Sequence, residues 1–191
     1  MTLKEKSAVW WISTICIAFF IIEMVSLAIN PESLAYFALS ADNFLSGKYM
    51  WTLITHIFSH AGVLHLLVNL FALISFGKLS EQIIGRKRFT WLFLISGIFA
   101  GLLSVLLSGF FGFGFWEKVF GSSAVYMLGA SGAIFGIAGM FVALLPRMRF
   151  GIIFIPFFSD SCIRGKYLRI GEAITFCPLF EILSVFINLF P

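Results

Sequence analysis

Charge is scarce in this chain: only 12% of its 191 residues are Asp, Glu, Lys or Arg, about half of what a soluble domain carries. That shortage excludes a water-soluble globule. Cysteines number three, and Cys16, Cys162 and Cys177 stand at separations that fit no metal or redox motif, so they are read as unpaired thiols. Histidines also number three, all between His56 and His65. His56 and His60 would lie one turn apart on a helix, but a zinc site there lacks an acidic or thiol companion. With all three histidines so close in sequence, haem ligation from two helices is still less favoured. No metal and no other cofactor is implied. A net charge of +4 is too modest to call for a nucleic-acid partner.

What the chain has in excess is apolar length, with 60% hydrophobic residues and a mean hydropathy of +1.03. About 20 such residues cross a bilayer. Composition and spacing therefore predict an all-α, polytopic membrane protein with four spans, at about 9–29, 63–84, 89–107 and 124–145, and room for a fifth in Ala173 to Phe190. The first span is longer than a signal h-region and lacks a small-x-small cleavage site, so it is expected to stay attached. Gly85 suits a left-handed helix cap. Asn30 to His60 reads as an interfacial loop with Tyr36, Tyr49 and Trp51 at headgroup level. Gly151 to Phe158 is too short to cross. Residues 1–158 are expected to form the membrane domain, with 159–191 a tail of different character, as a truncated or frame-altered sequence would show.

Loop charge sets an expected orientation. Lys4, Lys6, Lys78, Arg86, Lys87, Arg88, Arg147 and Arg149 fall on one side of a four-span arrangement, against Lys48 and Lys118 on the other. The N-terminus is thus expected in the cytoplasm, with the chain in the cell membrane.

Polar residues inside apolar runs are costly and by default functional. Ser131 stands between Gly129 and Gly132 in the fourth apolar run, seven residues into a span drawn from Ala124, so roughly 10 Å below the outer surface. His65 and Asn69 occupy a similar depth of the second span, on one helical face. A serine hydroxyl becomes a nucleophile when a base takes its proton, and the resulting oxyanion needs fixed donors. The bland alternative is a small residue whose hydroxyl bonds back one turn. The series Gly129, Gly132, Gly136, Gly139 would suit close helix packing. Glu23, an acid inside the first span, is expected either neutral or reaching toward the interfacial loop, and it is the one feature that favours a small transporter or channel.

Taken together, His60, His65 and Asn69 on the second helix and Gly129, Ala130, Ser131 and Gly132 on the fourth resemble the rhomboid intramembrane serine proteases. Trp51, Glu81 and Gly85 add to the likeness, which covers roughly residues 30 to 150 in order and spacing. The resemblance implies a helical bundle with a cavity open to the outside and a serine endopeptidase that cleaves single-span membrane proteins by acyl transfer. It makes Ser131 the nucleophile and His65, Asn69 and the Ser131 main chain the oxyanion hole, supported by Gly129, Gly132, Phe135, Glu81 and Trp51. In the family Phe135 packs on the catalytic imidazole, and Glu81 braces the loop into the third span. The family's general base is a histidine on a sixth span. No histidine follows His65 here, and Thr52 replaces the arginine that usually follows the loop tryptophan. The glycine series is then expected to face that sixth helix. The alternative is a catalytically inactive relative that binds client transmembrane helices. Expected partners are transmembrane protein substrates and the lipid bilayer.

Overall fold

The computed structural model describes residues 7–114 and 121–144 and the pairs 149–150 and 168–169. Among the described residues, three helices are long and apolar enough to cross a membrane: α1 Ala8–Ile29, α4 Val63–Ile84 and α5 Arg86–Phe111. Between α1 and α4 run a 3₁₀ turn, Pro31–Tyr36, and two short helices, α2 Ala41–Leu45 and α3 Thr52–Thr55. α6 follows as Ser131–Leu144. Compact packing is continuous through Ile137, and a second unit begins at Ala138. Outside α6, that unit shows an antiparallel pairing of β1 Arg149–Phe150 with β2 Leu168–Arg169.

Apolar residues line the exposed faces of the long helices, among them Ile15, Ile21 and Val25 on α1, Phe71 on α4 and Trp91 and Phe99 on α5. Surfaces of that kind are stable against lipid and not against water. The first span is one residue longer than expected, the second has the expected bounds, and the third extends to both sides of 89–107. The fourth differs more. Its helix starts at Ser131, not Ala124, because residues 121–130 are drawn into pairing with the interfacial loop. Its described part is 14 residues, against the ~20 that cross a bilayer. The short run 151–158, the further span at 173–190 and the tail 159–191 lie outside the described residues.

Small residues set the helix spacing. A Cβ on Gly77 would stand 2.9 Å from a Val9 methyl, so α1 and α4 meet at backbone distance. α4 turns directly into α5 at Gly85, whose φ of +81° suits glycine. On α5, Gly97 and Gly101 receive the side chains of Ile57 and His56 from the loop. Neighbouring positions Ser96 and Ala100 receive Gly136 and Gly132 of α6. Gly132 and Gly136 therefore pack on the third span, while Gly129 packs on α4; a sixth helix lies outside the described residues. Phe19, Phe58 and Phe93 join α1, loop and α5 through ring contacts with centroids 5.8 and 6.3 Å apart.

Glu81 closes the far end of α4. Its carboxylate accepts the backbone N–H groups of Ala8 at 2.9 Å and Val9 at 3.4 Å, together with the Ser7 hydroxyl. Ser7 makes no side-chain cap of its own, so α4 supplies the anion that the first turn of α1 needs. Such a cap contributes about 1 kcal/mol. Glu81 thus ties α4 to the first turn of α1, a contact the sequence did not announce.

Candidate active site

Four main-chain hydrogen bonds fix the approach to Ser131. The main chains of Leu39 and Met127 exchange hydrogen bonds of 2.9 and 2.7 Å, and Asp42 N–H donates to Ser123 C=O at 3.1 Å. Gly129 N–H then donates to His56 C=O at 2.8 Å. The chain arrives at Gly129 with φ +118°, a conformation that side-chain-bearing residues rarely adopt. A side chain there would also collide: its Cβ would lie 2.9 Å from His65 Cε1, 3.0 Å from Nε2 and 3.7 Å from Asn69 Nδ2. The loop holding Ser131 is therefore pressed against the two residues expected to face it.

Each partner is oriented. Ala61 N–H donates to His65 Nδ1 at 3.4 Å, which leaves the proton of the neutral ring on Nε2, the edge beside Gly129. Asn69 Nδ2 donates one hydrogen to His65 C=O at 3.0 Å, and an amide has a second to give. Ser131 is the first residue of α6, and the first bond into the helix runs from Ile134 N–H to Ala130 C=O. Its own N–H accordingly belongs to the helix-start donors that have no intrahelical acceptor, at the positive end of the dipole. His65 and Asn69 lie in the first two turns of α4. Two helix N-termini and two side-chain N–H groups thus gather at one end of the bundle.

The remaining histidines are structural. His56 is buried; its Nδ1 lies 2.9 Å from Thr52 C=O, and its other edge packs on Gly101. Burial lowers its affinity for a proton. His60 is also buried, with Nδ1 3.0 Å from Phe58 C=O and its ring 5.3 Å from that of His65. Burial first, and His65 second, push it down to about 4. The part of His56 in holding Gly129 was missed in the sequence because it acts through its carbonyl, which no residue type reports. Glu23 reaches the loop, accepting His60 N–H at 3.1 Å.

Other expected site residues stand further out. Trp51 is half exposed, donates its indole N–H to Tyr36 C=O at 3.0 Å and stacks edge-on with Tyr49, whose ring meets Tyr36. These are the three aromatics expected at headgroup level, brought together as one cluster. Phe135, one turn past Ser131, lines an apolar groove of about 430 Å³ between α5 and α6, opposite Ile95, Phe99 and Leu103.

A rhomboid-domain family model matches residues 47–190, so the match takes in the stretch from 159 that the motifs alone set apart. Rhomboid protease GluP of Bacillus subtilis is 34% identical over 134 residues, 69% of this chain and 24% of the relative. RHOMBOID-like protein 6, mitochondrial, of Arabidopsis thaliana is 35% identical over 108 residues, 56% of this chain and 31% of the relative. The human presenilin-associated rhomboid-like protein, mitochondrial, is 30% identical over 102 residues, 53% of this chain and 24% of the relative. The chain spans about a quarter to a third of the length of these relatives. It belongs to the rhomboid family of multi-pass membrane proteins, which holds both proteases and inactive members.

Proposed function

We propose that the chain carries the nucleophile and oxyanion half of a rhomboid-type serine endopeptidase acting on single-span membrane proteins near the outer membrane face. Ser131 attacks the scissile carbonyl. The oxyanion is met by His65 Nε2–H, the second Asn69 amide hydrogen and the Ser131 main-chain N–H, each worth about 3–4 kcal/mol of transition-state stabilisation where such donors have been removed elsewhere. The observation that carries this reading is the seat of Gly129 on His65 and Asn69, two residues before the serine. Loop charge supports an N-terminus in the cytoplasm of the cell membrane, which puts the site on the outer side.

The histidine inventory favours a second reading. His56 and His60 are buried against main-chain carbonyls, and His65 is the oxyanion donor, so none of the three serves Ser131 as base. Hydrolysis by these residues alone is slower by about 10⁴ to 10⁶, the loss typical when a triad base is removed. A member of this kind would hold client transmembrane helices without cutting them.

Labelling with a fluorophosphonate in lipid separates the two. The protease reading predicts slow adduct formation that is abolished in Ser131→Ala and falls about 10²-fold in His65→Ala. Equal behaviour of wild type and Ser131→Ala, with an intact transmembrane client bound by both, would establish the client-binding reading instead.

A further inference from the structure

Glu23 lies on α1 with 1% of its surface exposed. One carboxyl oxygen, Oε2, accepts His60 N–H at 3.1 Å. The other, Oε1, is buried with no hydrogen-bond partner. His60 mirrors this: the contact of Nδ1 with Phe58 C=O at 3.0 Å requires the proton on Nδ1, which makes Nε2 a bare acceptor. That Nε2 is also buried and without a partner. Two orphaned atoms thus sit on two residues already joined by a hydrogen bond. They are complementary if the carboxyl is protonated at Oε1, and a neutral acid is far cheaper to bury than an ionised one.

The pair leads directly to His65. Ala61, the residue after His60, supplies the N–H that fixes the His65 tautomer, and the His60 ring stands edge-on to the His65 ring at 64°. We infer that Glu23 is a positioning residue for the oxyanion donor: its neutral carboxyl anchors the His60 main chain and donates a hydrogen bond toward His60 Nε2 across one buried water. By this route an acid on the first span determines which His65 nitrogen faces Ser131. The inference rests on His65 as the donor, and the two are tested separately below.

The test is ¹⁵N NMR of histidine-labelled full chain in lipid nanodiscs, paired with fluorophosphonate labelling. The wild type should show His60 protonated at Nδ1 with a hydrogen-bonded Nε2, and His65 protonated at Nε2. Glu23→Gln keeps an oxygen to accept and an amide to donate, so both imidazole signatures and the labelling rate should be retained. Glu23→Met keeps neither; His65 should then populate both tautomers and labelling should drop about tenfold or more. A free imidazole-type Nε2 for His60 in the wild type overturns the inference without recourse to any variant. So does a Glu23→Met chain with unchanged imidazole signals, or a Glu23→Gln chain that behaves like Glu23→Met. If the tautomer change occurs while wild type labels no faster than Ser131→Ala, the coupling of Glu23 to His65 stands and the oxyanion assignment falls.

Discussion

At Gly129 one residue meets two demands at once: a φ of +118° and the absence of a Cβ beside the His65 ring. Gly129→Ala violates both. It should retain the helical content of the bundle by circular dichroism yet lower fluorophosphonate labelling of Ser131 by about 10²-fold, the size of a lost or misplaced oxyanion donor. His60 gives a second prediction. Its ring is held down to about 4 by burial and by His65, against 6.5 in an unfolded chain. A group whose folded affinity for protons is depressed stabilises the fold above the unfolded value, and that stability is lost as pH falls from about 6.5 toward 4. His60 can contribute about 3 kcal/mol to that loss. Unfolding curves of the wild type should therefore fall more steeply across this window than those of His60→Gln; parallel curves would contradict it. Ser131, His65, Asn69 and Glu23 were legible because polar residues in hydrocarbon are conspicuous. His56 and the Leu39–Met127 pairing were not, because their contribution is made by main-chain groups that every residue has.

The helices show where apolar periodicity succeeds and where it stops. Continuous apolar runs placed α1, α4 and α5 within a few residues, and Gly85 marked the α4–α5 turn. The start of α6 was misplaced by seven residues because Ala124 to Ala130 is as apolar as a span, while its main chain is committed to His56 and Leu39. Hydropathy does not register that competition. Ser131 became a helix-start residue as a result, which strengthens its N–H as a donor. Of the glycine series, Gly132 and Gly136 form a packing face that meets α5, a partner the sequence did not announce. Gly136 lies so close to Ser96 that even a methyl group does not fit. Gly136→Ala is expected to cost about 1–3 kcal/mol in unfolding from detergent micelles, and Ser96→Gly in the same chain should return a measurable part of it. Strict additivity of the two substitutions would show that α5 and α6 do not meet there.

For the whole molecule, the same two loops that shape the interface also assemble the site. Residues 37–62 and 121–130 hydrogen-bond to each other, and through them α1, α4 and α6 bring Glu23, His65 and Ser131 to one end of the bundle. Family membership was legible from the conjunction of motifs across residues 30 to 150, and the family match extends this to 190. Catalytic status turns on whether the gathered N–H groups grip a developing oxyanion. The most direct measurement is the structure of the Ser131 phosphonate adduct in lipid. The phosphoryl oxygen is expected about 2.7–3.1 Å from His65 Nε2, with Asn69 Nδ2 and the Ser131 N–H in reach. An adduct whose oxygen points into lipid, with His65 Nε2 bonded elsewhere, would contradict it.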